Sequence, residues 1–514
     1  MQLLIDIGLT LVYLCLFLLI VVWVWRFWKM YINQKFIDKF NSECILLEIK
    51  LPRDIFKSPF ATEVALASLL QGGGVNKWYS RNFQGNLPVY SSLEIASLEG
   101  VLHFYIRIHK KFRPLVEANF YAQYPGIEIV EADDYTKKIR YHHLTKDVST
   151  WSSSYRLTKK WTPRSKDKGE ALKDKEGKEY KMPADFFPIK TYVDYGLDQD
   201  PKEELKVDPI TPLLEFMGSI GKGEYFWYQV LVQDEGVYGA DGKMPKFYVN
   251  EVTHEHVSLK EMSDAYKKQL RTSHYTTHGQ TVMDDYGYPR TRKVDDGVDE
   301  NGKPKTKEIE LTYNFPEKKQ GEANAVSKKE TELTIETKED IEAINKKMSK
   351  PLALVIVRLV YVTKKQNFNP SQIQNILSFS KPYKGINSFS PSVSSPYDFK
   401  WQDLGGKRTA WRSEEIFEEY VEREGFFPHI GERKSLDSWE DMMFYPFSMK
   451  TRKVFRMMVE AIFYPFDHPH PDKVSIMNLE EVATLWHLPG QTASTPTLPR
   501  IDSVKGNAPS NLPM

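Results

Sequence analysis

The chain has 514 residues, with 70 Lys and Arg against 69 Asp and Glu, for a formal net charge of +1. That balance argues against a generally basic nucleic-acid binder, and two cysteines exclude a disulfide scaffold or a Cys-rich metal protein. A hydrophobic content of 41% is enough to build packed cores. The length suggests about two to four domains.

The N-terminus carries the first strong signal. Ile7 to Trp25 is a run of nineteen residues without a charge, which matches the thickness of a bilayer's hydrocarbon core. Trp23, Trp25 and Trp28 fit an interfacial belt, and Arg26, Lys29, Lys35 and Lys39 follow. The expectation is an uncleaved transmembrane anchor over residues 1–30. The positive-inside rule places the N-terminus outside and the body in the cytoplasm of a single-pass cell-membrane protein.

Residues 31–145 read as one unit. Glu43–Leu51 is a predicted strand, and Ser58-Pro59 opens a helix that stops at Gly72-Gly73-Gly74. Pro88–Leu98 and Val101–Ile108 form a predicted hairpin about Glu99-Gly100. Phe112, Leu115, Val116 and Phe120 recur at helical spacing before Ile127–Glu131, a short strand. The order βαββαβ is the ferredoxin-like pattern. It predicts a four-stranded antiparallel sheet with both helices on one face and with Val64, Phe112, Val116 and Phe120 buried.

Residues 146–365 read as a second such unit with a long polar insertion. Its predicted elements are a strand at Ile189–Tyr195, a helix at Asp208–Met217 and strands at Tyr225–Val232 and Phe247–Val257. A helix at Lys338–Met348 and a strand at Leu352–Thr363 complete it. Two polar stretches, 164–181 and 235–334, read as insertions, the second with Asp296-Gly297 and Asn301-Gly302 turns. Residues 366–490 are expected to be helical and irregular, and 491–514 to be a Pro/Ser/Thr-rich tail. The predicted fold class is therefore α+β: an N-terminal transmembrane helix, two ferredoxin-like units and a helical C-terminal region.

Catalytic motifs are absent from the sequence. Gly218-Ser-Ile-Gly-Lys-Gly223 fails as a P-loop because Phe216 and Gly223 stand where Gly and Ser or Thr are needed. Asp133-Asp134 point opposite ways along a strand and read as turn or cap residues. The candidate metal ligands are His254 and His256, two apart on a predicted strand, with His274 and His278 at helical spacing. They support a rival reading as a metal-dependent membrane-tethered enzyme or DNA-processing protein. An H-x-H strand with Tyr275 nearby is similar to the HUH nucleases, although Glu255 stands where those prefer an apolar residue. Phe444-Tyr-Pro-Phe447 and Phe463-Tyr-Pro-Phe466 read either as core or as a docking patch.

Several segments resemble a family of bacterial membrane-anchored proteins of undetermined biochemical function, associated with conjugation and type IV secretion-like ATPases. They are Ser92–Ile106, Val116–Pro125 with Ile127–Glu131 and Asp133–Tyr135, and Asp208–Glu215 with Gly218 and Gly223-Glu224. Asn478–Thr484, His487–Gly490 and the ending Asn511–Pro513 complete the set. The resemblance implies a non-enzymatic adaptor of a transport machine with no catalytic residue and no cofactor. The resemblance adds a separate P-loop ATPase as partner, beside the lipid bilayer expected from the Ile7–Trp25 run and a candidate second copy of the chain, while the charge balance makes direct nucleic-acid binding unexpected. The segment Asn478–Pro513 reads either as a short helix packed on its own body with a disordered end or as a docking tail, and the resemblance favours the tail, since in related proteins this segment leads into the ATPase.

Overall fold

The computed structural model describes residues 2–52, 57–70, 78–142, 147–157, 184–198, 207–234, 248–249, 256–257, 259–260, 263–264, 267, 291–298, 304–310, 335–395, 407–426, 474–490 and 499–501. The chain divides into two compact units. The larger comprises Met1–Thr158, Ile189–Lys243 and Lys350–Met514, and the smaller comprises Lys159–Pro188 and Met244–Ser349.

The larger unit opens on helix α1 (Gln2–Glu43) and strand β1 (Cys44–Pro52). Helices α2 (Pro59–Leu66) and α3 (Trp78–Phe83) lead to strands β2 (Tyr90–Leu98) and β3 (Val101–His109). Helix α4 (Arg113–Gln123) and strand β4 (Glu128–Glu131) follow. Next come β5 (Val148–Leu157), α5 (Thr211–Ser219) and β6 (Glu224–Asp234). After the smaller unit the chain returns as β7 (Leu352–Lys364), α6 (Ser371–Leu377), β8 (Phe389–Ser395) and α7 (Lys407–Val421). It closes with β9 (Ser475–Asn478), α8 (Leu479–Leu485) and β10 (Arg500–Ile501).

The expected fold is corrected in four respects. First, the strands make one continuous sheet of ten, ordered β8-β5-β7-β6-β2-β3-β1-β10, with β4 also on β1 and β9 also on β7. Every pairing is antiparallel except β1 with β10. The two halves join at β2 and β6, where Glu94 lies opposite Gln229.

Second, no helix among the described residues is long and apolar enough to cross a membrane. That overturns the single-pass anchor, with the N-out orientation and cytoplasmic body read from it. The apolar run does not end as a separate segment. Helix α1 continues unbroken for 42 residues, and its last turns lie against the sheet through Ile37 and Phe40. Phe40 meets Tyr90 at 5.3 Å between ring centroids, and Asn41 accepts from Arg107 at 3.0 Å.

Third, the predicted second unit keeps its strands at Tyr225–Val232 and Leu352–Thr363, within β6 and β7, but not the one expected to open it. Ile189–Tyr195 is mostly turn, and the first strand of that half is β5. The half runs β5-α5-β6-β7-α6-β8, and the smaller unit's residues 244–349 lie between β6 and β7. Each half of the sheet then orders its strands fourth, first, third, second, since β4 and β8 flank β1 and β5. Fourth, Val64 is 37% exposed and Phe112 half-buried, while Val116 and Phe120 are buried. The register of α2 turns Val64 outward and puts Ala61, Ala65 and Leu66 inward.

The hairpin at Glu99-Gly100 needs positive φ at both residues, as a two-residue loop with this twist requires. Their φ values are 55° and 91°. Glu99 is held there by its carboxylate, which accepts from Gly223 N at 3.1 Å.

One face of the sheet is covered by α2, α4 and α8, with Trp486 against Phe104 and Phe120. On the other face lie the end of α1 and α7. There Phe417 and Tyr420 pack with Tyr105, Trp227 and Val360, and Ile37 and Phe40 pack with Leu231 and Ile356. Central strands are thus buried on both sides.

In the smaller unit, a hairpin pairs Thr291–Val298 with Pro304–Glu310, and a two-residue ladder pairs Tyr248–Val249 with His256–Val257. The helix Ile335–Met348 buries Ile344, and its Lys347 Nζ donates to Phe187 O at 3.3 Å.

Candidate functional site

The most concentrated polar chemistry lies beneath α7, between the two apolar clusters of that face. Glu94 projects from the middle of β2 and is fully buried. It accepts from Arg423 Nε at 2.8 Å and Nη2 at 3.1 Å. Ser92 Oγ donates at 2.5 Å, Tyr135 Oη at 2.8 Å and Gln229 Nε2 at 3.1 Å. Arg423 also forks onto Asp134, through Nη1 at 2.7 Å and Nη2 at 3.1 Å. Its remaining Nη1 hydrogen reaches Val421 O at 3.0 Å.

Local sequence places these groups. Helix α7 stops at Val421, and Arg423 follows at φ 56°, the left-handed position usual for Gly at a helix end. An L-residue there is strained by about 1–2 kcal/mol, and the guanidinium's two carboxylate forks offset that strain. Asp134 is fixed by accepting from Thr136 N at 3.1 Å. Tyr135 stacks on Tyr105 at 5.0 Å and bonds Tyr420 Oη at 2.8 Å.

Burial pushes the Glu94 carboxyl up, but Arg423, Ser92 and Tyr135 more than offset it, so its pKa stands below the ordinary value. Asp134 behaves alike, with burial opposed by Arg423 and Thr136. Burial and the Glu94 charge push the Tyr135 phenol well above its usual range. Both carboxylates are ionised and committed to Arg423, which leaves neither available as a general base. In the next row of the same face, Arg358 Nη1 donates to Glu419 O at 3.1 Å. Arg358 Nε and Nη2, Trp227 Nε1, Gln229 Oε1 and Ser152 Oγ are buried without a hydrogen bond.

A second network surrounds α8 on the opposite face. Asn478 and Glu481 form a reciprocal capping box, with both bonds at 2.9 Å. The other Glu481 oxygen accepts from Ile189 N at 2.9 Å. Glu480 accepts from Thr191 Oγ1 at 2.5 Å and pairs with Lys350 at 2.9 Å. Lys350 also meets Glu63 at 2.6 Å, and Glu63 accepts from Tyr192 Oη at 2.6 Å. Burial lowers the Lys350 pKa, but the two carboxylates raise it further, and the net shift is upward. His487 Nε2 lies 3.0 Å from both Asp208 oxygens.

The two networks meet at β2. Trp486 Nε1 donates to the Glu94 main-chain oxygen at 3.3 Å, while the Glu94 side chain faces the other way.

This placement corrects the docking tail. Asn478–Leu488 is core, with Trp486 0% and Leu488 1% exposed. Beyond it, Arg500–Ile501 pairs in parallel with Leu51–Pro52 of β1. The apolar positions Leu479, Val482, Leu485 and Trp486 serve the chain's own sheet.

Of the four candidate metal ligands, His256 falls in the described residues, on the two-residue ladder with Val249. His254, His274 and His278 lie outside them, as do Tyr275 and both Phe-Tyr-Pro-Phe segments. Among the described residues, no group of three or more His, Cys, Asp and Glu is placed to hold a metal. Gly218–Gly223 is the exit of α5, where Gly221 N bonds Glu224 at 2.6 Å.

Sequence reasoning missed Arg423 as the partner of Glu94 and Asp134. A carboxylate inside the apolar strand Tyr90–Leu98 was the available signal, since buried charges are paired.

Comparison with known proteins gives no match, whether to family models, curated proteins or solved structures. No neighbour supports a link to conjugation or type IV secretion, and those two labels are dropped.

Proposed function

We propose that the chain is a non-enzymatic assembly subunit, an adaptor in a transport machine that works beside a separate P-loop ATPase. The observation that supports this reading is how the charge at the sheet centre is used. Glu94 and Asp134 share Arg423, and Glu63 and Glu480 share Lys350 on the opposite face of the sheet. Groups so committed join distant segments, which suits a rigid scaffold and offers no free acid, base or nucleophile. The separate ATPase is the part of this proposal carried over from the sequence of Asn478–Gly490 and the other segments alone, with no link to conjugation or type IV secretion attached.

The test is co-purification of the tagged full chain with a P-loop ATPase encoded beside it, together with metal analysis. A stable complex, with no bound metal, supports the adaptor. Failure to bind that ATPase refutes the partner. Stoichiometric zinc, nickel or copper, lost on His254→Ala and His256→Ala, would replace the adaptor with a metal-dependent enzyme.

A further inference from the structure

His487 ends the C-terminal motif and is 1% exposed. Its Nδ1 lies 2.9 Å from Ala483 O, and its Nε2 lies 3.0 Å from each oxygen of Asp208. A backbone carbonyl and a carboxylate only accept hydrogen bonds. A neutral imidazole has one N–H and cannot serve both, whereas the imidazolium has two. The geometry therefore requires the charged ring.

Asp208 is itself fixed. It is 5% exposed, and its Oδ1 accepts from Ile210 N at 3.0 Å just before α5. The other groups facing the pair are the Thr484 backbone beside the ring and the Tyr383 phenol beside Asp208, with Tyr195 close to Tyr383. Tyr383 Oη is buried without a hydrogen bond. Nothing in that set replaces the proton on His487, since a tyrosine remains neutral where a histidine titrates.

We propose that the proton on His487 is a structural component that latches Trp486–Leu488 to the entrance of α5, and that its loss frees this end while the sheet stays folded. The other end of the motif is tied independently, by the Asn478–Glu481 capping box and by β9 on β7. Release therefore starts at the C-terminal end. The segment that loosens carries Trp486 and Leu488, both buried in the closed state, and adjoins buried Leu485.

The direction follows from the two partners. Burial lowers the His487 pKa, but Asp208 raises it more, and the net value stands above the 6.5 of an unperturbed histidine. Such a group stabilises fully below the unfolded value and loses its contribution as pH rises through the folded value. Asp208 stands below 3.8, because His487 outweighs its burial, so its contribution is lost only as pH falls through that lower value. The latch is closed below the folded His487 value, which lies above 6.5, and opens as pH rises through it.

The experiment is hydrogen exchange of the full chain between pH 6 and 10, corrected for intrinsic rates, followed on peptides covering 478–490 and 90–98. Protection of the first peptide should fall by up to about tenfold per pH unit above the folded His487 value, while the second is unchanged. Asp208→Asn should move the midpoint down toward 6.5. His487→Met should abolish the pH dependence. Flat protection in the wild type would overturn the proposal, as would a midpoint unmoved by Asp208→Asn. If His487→Met fails to fold, the Asp208→Asn midpoint decides alone.

Discussion

Arg423→Met tests the central claim, that the sheet is held by a buried charge cluster. The substitution keeps much of the side-chain volume and removes both forks. Glu94 is 0% exposed and would then be a buried carboxylate without a counter-ion. Removing one partner of a buried pair typically costs about 3–5 kcal/mol, because the charge left behind is uncompensated. Asp134, a quarter exposed, regains solvent and adds less. Glu94 can escape by taking up a proton. Without Arg423, burial dominates and its pKa rises above the ordinary carboxylate value, the reverse of its present shift. In the wild type, Glu94 contributes stability above pH 4.5 that is lost as pH falls through its depressed folded value. In Arg423→Met the sign reverses, and the protein gains stability as pH falls from 8 toward 5. Adding Glu94→Gln should recover most of the loss, since the buried charge disappears with its partner gone. Urea unfolding followed by tryptophan fluorescence reads all three variants at pH 8 and pH 5.5. A loss below about 1 kcal/mol, or a double mutant worse than Arg423→Met alone, would refute the reasoning.

Three further outcomes are expected. Phe120→Ala should cost about 3–5 kcal/mol, since the ring is 0% exposed against Trp486, whereas Val64→Ser on the exposed side of α2 should be near neutral by thermal melting. Glu481→Ala should lower the melting temperature through about 1–2 kcal/mol, because it breaks the capping box and strands Ile189 N–H together. Gly100→Ala should destabilise by about 1–2 kcal/mol in urea titration, as φ is +91° and a Cβ would lie 2.8 Å from Ile220 O.

The sequence made the first half legible because its signals are local. Strand β1, the Glu99-Gly100 turn and α4 each announce themselves by apolar spacing or by a turn residue. Strand β5 did not, because Val-Ser-Thr-Trp-Ser-Ser-Ser-Tyr-Arg-Leu reads as a polar linker. It is a strand because its small hydroxyl side chains fit beneath α7 and beside β7, and Ser152, Ser153 and Ser154 are almost wholly buried. Ile189–Tyr195 misled in the opposite sense, since its apolar residues serve turns against α8. The C-terminal motif was read as a docking helix because its amphipathic face has the same pattern whichever surface covers it. Arg423 was invisible because its partners lie 289 and 329 positions away. Pairing over such distances leaves no periodic trace.

The position of Glu94 gives a reason why one sheet, and not two separate units, is the stable arrangement. Strand β2 would be the edge of an isolated first half, and its Tyr90–Leu98 backbone would face solvent there. Pairing with β6 from Tyr90 to Leu98 closes that edge. It also brings Gln229 to Glu94, and the end of α7 brings Arg423. The carboxylate is therefore neutralised only when residues from both halves and from the C-terminal third are in place. The same residue's carbonyl receives the Trp486 indole from the other face. A buried charge whose partners come from three segments outside its own strand penalises partly assembled arrangements, because those lacking Arg423 leave it unpaired. Joining the halves is thus coupled to seating both α7 and α8.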